Sequence, residues 1–296
     1  MVTRAHHRRN RGTATYAPIC YQSTRHARAV GARVARPAQA PRARPLRATF
    51  SNDADGLVAT ASSECTSMRA VLPRPPIATI ANGVICQPTV PNRNHRDVLT
   101  DRTLLFMSRI HPKKNLVGLI DAFAQIAARA EFANWRLVIA GPDEGGHGAH
   151  LTARILKYEL NGRISMPGSV GEDEKSSIFA AADLFILPTF SENFGIVVAE
   201  ALAAGVPVIT TTGTPWQDLA IRGCGWQVSP DSASLAEAMA LAMRLSAPER
   251  RQMGIRGHAY VRDTFGWDLI AEQMLGFYDW LLHAGTPPPF INCPAP

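Results

Sequence analysis

The feature that leaves the fewest folds open is a rhythm. Between residues 103 and 229, short apolar runs alternate with segments of helical pattern. The runs are 103–108 (TLLFMS), 135–140 (WRLVIA), 163–166, 183–187 (DLFIL), 206–211 (VPVITT) and 225–229. Each run from 103 to 211 is followed by a helical stretch, at 116–130, 148–160, 171–182, 195–204 and 215–221. Short apolar strands separated by helices indicate a parallel sheet covered on both faces. The expected fold class is therefore α/β, with a doubly wound parallel sheet. Upstream, Gly56 to Ala61 reads as a strand, 62–72 as a helix and 77–80 as a second strand, stopped by the turn signal Asn82-Gly83. Residues 86–101 are polar, hold two prolines and read as a linker. Helices are expected at 232–245, 249–263 and 267–283, followed by a disordered Pro-rich tail over 284–296.

Charge looks at first like a nucleic-acid signature, because the chain of 296 residues carries a net +7. Its distribution removes that reading. Residues 1–50 contain 11 Arg, no Lys and no acidic residue, which leaves 20 basic against 24 acidic residues in 51–296, a balance of −4. The tract lacks apolar periodicity and is expected to be disordered. No aromatic-interleaved basic sheet or recognition-helix motif accompanies it, so no nucleic-acid partner is expected. Five cysteines (Cys20, Cys65, Cys86, Cys224, Cys293) make no C-x-x-C pair and no zinc spacing. Their odd number suits a reducing cytosol. Residues 1–25 lack the apolar core of a secretory signal, and no stretch of about 18 apolar residues suggests a membrane span.

In a doubly wound sheet, ligands bind beyond the carboxyl ends of the strands. Four loops on that edge carry Gly, charge or both: Ser108 to Asn115, Gly141 to His147, Pro188 to Gly195 and Gly213 to Trp216. Arg109 and Lys114 would hold a diphosphate through a planar guanidinium and a point charge; the plainer alternative is a solvated basic loop. Asn193-Phe194-Gly195 lies where a helix begins, so N–H groups and the positive end of the dipole face the site. Gly195 lets the backbone approach a phosphate closely. Glu200 falls inside an apolar helix beside Val197, Val198, Ala201 and Leu202, where a carboxylate needs a partner. A ribose diol or a basic side chain would each supply one. Glu192 and Glu200 form the E-x7-E pair of the chain.

With these residues in place, the sequence resembles retaining nucleotide-sugar glycosyltransferases of family 4, which have the GT-B architecture. The resemblance runs from about Leu57 to Leu282. It rests on SRIHPKKNL, VIAGPDEGG, the long segment PGSVGEDEKSSIFAAADLFILPTFSENFGIVVAEALAAGVPVITT and the closing GWQV. Ser108 and Asn115 replace the two glycines of the family's G-R-L-x-x-x-K-G element, leaving the cations in register. The resemblance implies catalytic roles for Glu192, Arg109 and Lys114. Arg109 and Lys114 would meet the donor diphosphate, Glu200 the ribose hydroxyls and Glu192 the donor sugar. Backbone N–H groups of Asn193, Phe194, Gly195 and Ile196 would meet sugar and phosphate. The loop Pro167-Gly168-Ser169-Val170 would bracket the base. The donor is a substrate, and no cofactor or metal is expected. Asp53-Ala54-Asp55 mimics the metal motif of another transferase architecture and is read as accidental.

The same resemblance implies a glycan or lipid-linked acceptor, a role in exopolysaccharide or lipopolysaccharide synthesis, and a cytoplasmic enzyme with peripheral contact to an anionic inner membrane face. The expected organisation is a disordered tract at 1–50, a remnant of an N-terminal GT-B domain plus linker at 51–101, a nucleotide-sugar-binding domain at 102–265, a crossover helix at 266–283 and the tail. The N-terminal half of a GT-B enzyme is expected to be largely missing, so donor binding without efficient transfer is anticipated. His6, His7 and His26 sit in no strand–loop context and receive no catalytic role. The alternative is a non-catalytic nucleotide-sugar-binding module with a basic arm.

Overall fold

The computed structural model describes residues 20–22, 54–87, 89–90 and 101–293. Asp53, the three N-terminal histidines and most of the basic tract lie outside the described residues. The chain divides into two compact units, one of Gly83–Trp267 and one that joins the residues up to Asn82 with Asp268–Pro296.

The larger unit is built on six parallel strands: β4 (Arg102–Met107), β5 (Trp135–Ala140), β6 (Ile164–Gly168), β7 (Leu184–Leu187), β8 (Val208–Thr211) and β9 (Gly225–Val228). Their spatial order is β6-β5-β4-β7-β8-β9. The chain thus winds outward one way from β4 to β6, returns, and winds the other way from β7 to β9. This is the Rossmann order, with its topological switch point between β4 and β7. Connecting helices are α2 (Leu116–Ala127), α3 (His147–Lys157), α4 (Glu172–Ala181) and α5 (Ile196–Ala203). After β9 come α6 (Ser232–Arg244) and α7 (Ala247–Phe265). All four residues of β7 and of β8 are buried, as a strand covered on both faces requires. Asp231 caps α6 by accepting from Ser234 N at 2.8 Å, and a Ser246–Glu249 capping box opens α7.

Three expected boundaries move, two for local reasons and one through a tertiary contact. The run at 206–211 forms ladder only from Val208, because Pro207 has no N–H to donate, although its carbonyl accepts from Phe185 N at 2.9 Å. Strand β6 extends through Pro167 and Gly168, so half of the expected base loop is strand; β6 is an edge, where proline is tolerated. The helix expected at 215–221 is reduced to one 3-10 turn, Gln217–Leu219. Trp216 is pinned by its indole N–H to the Phe194 carbonyl at 2.7 Å, and Gly223 turns the chain with φ +60°. The six residues between them form the 3-10 turn and the turn that follows it.

The smaller unit has a four-stranded sheet in the order β1-β2-β3-β10. Its strands are β1 (Cys20–Gln22), β2 (Gly56–Ala59), β3 (Ile77–Thr79) and β10 (Ile291–Asn292), the last antiparallel to β3. Side chains alternate across the sheet with period two. Leu57, Ala59 and Ile77 pack with Cys65 and Met68 of α1 (Ser62–Arg69). Val58 and Ala78 pack with Ile270 and Phe277 of α8 (Trp267–His283). Part of α8 remains apolar and exposed, at Leu269, Leu275 and Leu282.

Two short edge strands fall within the segments read as basic tract and Pro-rich tail. Within the basic tract, Cys20–Gln22 pairs parallel with β2. Within the tail, Ile291–Asn292 pairs with β3, and Thr79 N donates to Phe290 O at 2.8 Å. Backbone pairing at a sheet edge makes little demand on side-chain type, so composition did not reveal either strand. Arg69 fastens the tail, donating to Asn292 O at 2.6 Å and to Pro75 O at 2.7 Å. Arg69→Met should leave the global fold intact but loosen β10, seen as faster hydrogen exchange at Thr79 with little change at Val58. No described helix is long and apolar enough to cross a membrane.

Candidate functional site

The site assembles at the β4/β7 switch point. After β4 the chain passes Ser108 to His111 into a 3-10 turn at Pro112–Lys114. It then reverses at Asn115, a left-handed residue with φ 56°, to start α2. That turn directs Lys114 inward, and the residue is only 7% exposed. Its ammonium forms an ion pair with Glu192 Oε1, on the loop after β7. Thr189, fully buried, lies beneath the pair. Its hydroxyl is 3.1 Å from the Lys113 carbonyl and 3.2 Å from Glu192 Oε1, and one proton can satisfy one of these at a time. Glu192 N donates to Gly213 O at 2.7 Å. A Cβ at Gly213 would stand 2.5 Å from the Phe190 carbonyl, so only glycine lets the β8 loop lie this close to the β7 loop. Loops after β4, β7 and β8 therefore converge on one buried charge pair.

Arg109 takes a different partner. Its guanidinium contacts Glu144 Oε2 at 2.5 Å, and both side chains are more than a third exposed. The contact follows from backbone bonds between the loops after β4 and β5: Ile110 N to Pro142 O at 2.8 Å and Glu144 N to Ile110 O at 3.1 Å. Gly141, with φ +139°, starts the second loop and donates to Gly168 O at 2.7 Å. The Pro167 to Val170 segment is thereby tied to the same edge. In the β5 loop, His147 has its basicity lowered by desolvation and by neighbouring His150, which favours the neutral imidazole.

Gly195 holds φ +75° and ψ 58° at the start of α5. This left-handed turn favours glycine. The preceding carbonyl, of Phe194, is fixed by the Trp216 indole. The Phe194 ring packs in a cluster with Trp216 and Phe265, at centroid distances of 5.3 and 5.4 Å. The first turn of α5, including Ile196, is thus held rigidly with its amino end toward the strand edge, where first-turn N–H groups have no intrahelical acceptor.

Glu200 is half-buried on α5 and pairs with Lys175 of α4 at 3.2 Å. Lys175 also reaches Glu172 at 2.9 Å. Burial lowers the Lys175 pKa, but the hydrogen bonds and charges of Glu172 and Glu200 outweigh it, and the net shift is upward. The basic side chain weighed as a partner for Glu200 is that of Lys175. Sequence reasoning missed Lys175, Glu144 and Thr189. Lys175 was open to discovery as one of four lysines in the chain. Among the described residues, no three or more His, Cys, Asp or Glu side chains are grouped to hold a metal ion.

Strand order and loop geometry together define a Rossmann-like α/β domain with charged residue pairs at its switch point. Residues 92–259 match the family described as glycosyl transferases group 1, and the chain belongs to that family. D-inositol 3-phosphate glycosyltransferase of Corynebacterium glutamicum (strain R) is 30% identical over 184 residues, covering 61% of this chain and 44% of that protein. Spinach (Spinacia oleracea) sucrose-phosphate synthase is 30% identical over 150 residues, covering 46% of this chain and 14% of that protein. Among solved structures, sucrose-phosphate synthase from Thermosynechococcus elongatus superposes with a TM-score of 0.70 at 25% identity, over 81% of this chain and 61% of that one. Anabaena HepE in complex with UDP and glucose gives a TM-score of 0.66 at 19% identity, over 79% and 66%. These are GT-B glycosyltransferases in fold. The chain spans less than half the length of both sequence relatives.

Proposed function

We propose that this protein is a family 4 enzyme that transfers a sugar from a nucleotide-diphosphate donor to a glycan or lipid-linked acceptor with retention of anomeric configuration. The observation that carries this reading is the near-buried Lys114–Glu192 pair at the switch point, backed by Thr189 and faced by the amino end of α5. The donor diphosphate would lie on Lys114, Arg109 and the N–H groups at 194–196. An ammonium has three donors, so Lys114 can keep Glu192 while donating to a phosphate oxygen. As the bond from anomeric carbon to phosphate loosens, negative charge grows on the nucleotide. Preorganised cations and helix N–H groups stabilise it without reorganisation. Glu192, beside the leaving phosphate, would face the sugar and stabilise the positive charge on its anomeric carbon. Glu200 would take the ribose hydroxyls and Pro167 to Val170 the base. Attack from the leaving-group face, with the departing phosphate accepting the acceptor's proton, gives retention.

The acceptor class fits a role in exopolysaccharide or lipopolysaccharide synthesis at the cytoplasmic face of a membrane. Calorimetry with UDP, GDP, ADP and their sugars checks the donor site. One of these nucleotides should bind, and Arg109→Ala or Glu200→Ala should each weaken it about tenfold. Absence of binding by all of them would remove the donor reading. Turnover followed by NMR of the product anomer checks retention. Binding without turnover under any acceptor would favour a nucleotide-sugar-binding module.

A further inference from the structure

Lys175 has no role in the donor reading, yet it is the charged partner of Glu200. It sits three residues after Glu172 on α4, and its ammonium bridges Glu172 at 2.9 Å and Glu200 at 3.2 Å. The two ends differ in environment. The Glu172 side chain is 84% exposed, whereas those of Lys175 and Glu200 are 29% and 27% exposed. The solvated contact to Glu172 contributes little by itself and acts as a tether. The contact to Glu200 is the shielded one.

The geometry of the acceptor follows. A carboxylate has about four lone-pair sites. Lys175 occupies Glu200 Oε1, and no second partner of this carboxylate is found among the described residues. Two ribose hydroxyls need two acceptor sites held at a fixed angle. Glu200 lies on an apolar helix and has three rotatable side-chain bonds. Without a neighbour it would sample several rotamers and lose its counter-charge. Lys175 also links α4, which follows the Pro167 to Val170 segment, to α5, which carries Glu200. It stands where base and ribose ends of a nucleotide would adjoin.

We propose that Lys175 is a positioning residue of the ribose subsite, orienting the Glu200 carboxylate so that both ribose hydroxyls are read together. The proposal rests on the donor-site reading. Its test is calorimetry on the full chain with whichever of UDP, GDP and ADP binds most tightly, and with the 2′,3′-dideoxy analogue of that nucleotide. The unaltered protein should prefer the ribonucleotide by at least about tenfold. Lys175→Met should cut that preference to about threefold or less, by weakening the ribonucleotide while the dideoxy analogue binds as before. Lys175→Arg, which keeps a cation in reach, should restore most of it. A thermal melt confirms that each variant is folded.

Three results would overturn the proposal: an unchanged preference in Lys175→Met, an equal loss for both nucleotides, or tighter ribonucleotide binding. The second would make Lys175 a general electrostatic contributor, and the third a plug on Glu200. An unaltered protein that binds no nucleoside diphosphate, or does not distinguish the two sugars, would instead remove the donor reading and this proposal with it.

Discussion

Lys114→Met should destabilise the folded chain by about 2–4 kcal/mol, because it leaves Glu192 charged in a site from which water is largely excluded. The Lys114 and Glu192 side chains are 9% and 15% exposed. The Thr189 hydroxyl remains as a neutral partner at 3.2 Å and keeps the loss from being larger. The same change should weaken nucleoside diphosphate binding by about 10- to 100-fold through loss of a charge-assisted contact. A second variant separates the two effects. In Lys114→Met/Glu192→Leu the unpaired charge is gone, so stability should recover in large part while binding stays weak. Denaturant melts and calorimetry on the same samples read both quantities. If the double variant regains binding along with stability, Lys114 is structural, and the diphosphate is held elsewhere.

Gly141→Ala should be the most damaging glycine substitution near the site, on the order of 3 kcal/mol or more. Two independent costs combine. The residue has φ +139°, which an L side chain rarely adopts, and a Cβ would stand 1.9 Å from the Ser108 carbonyl oxygen. That oxygen is backbone and cannot rotate away. Relief requires moving the loop after β4, which carries Ser108 and Arg109, or breaking the Gly141 N to Gly168 O bond. Donor affinity should therefore fall together with stability. Gly162→Ala is the matched control. Nothing lies within 4 Å of a Cβ there and its φ is not in the left-handed region, so the change should stay within about 0.5 kcal/mol. Equal melting midpoints for the two variants would refute the close-approach argument.

Most of the larger unit was legible in the sequence because its signals are local. The run WRLVIA became β5 at Trp135–Ala140, and the pattern at 232–245 became α6 at Ser232–Arg244. Apolar runs bounded by turn residues carry their own boundaries. Where boundaries moved, the cause lay in a backbone group, as with Pro207 lacking a donor. The element predicted at 215–221 failed because a tertiary contact, Trp216 to Phe194, took the chain first. The edge strands β1 and β10 were invisible for a related reason, since each is only two or three residues long and is held by the backbone of a neighbour.

The candidate site divides along the same line. Sequence alone singled out Arg109, Lys114, Glu192 and Glu200, though not Glu144 or Lys175, because strand ends in a βα series put their loops on one edge whatever the details. It did not determine their pairing. Lys114 and Glu192 are 78 residues apart. They meet because the sheet order places β4 beside β7, and β-strand order depends on how the whole chain winds. Glu200 meets Lys175, rather than standing unpartnered in an apolar helix, because the fold brings that α4 side chain to 3.2 Å of it. Composition and periodicity fix what most segments of the larger unit become and which side they bury. Which charges face one another is decided by packing between segments, through distances that no local pattern encodes.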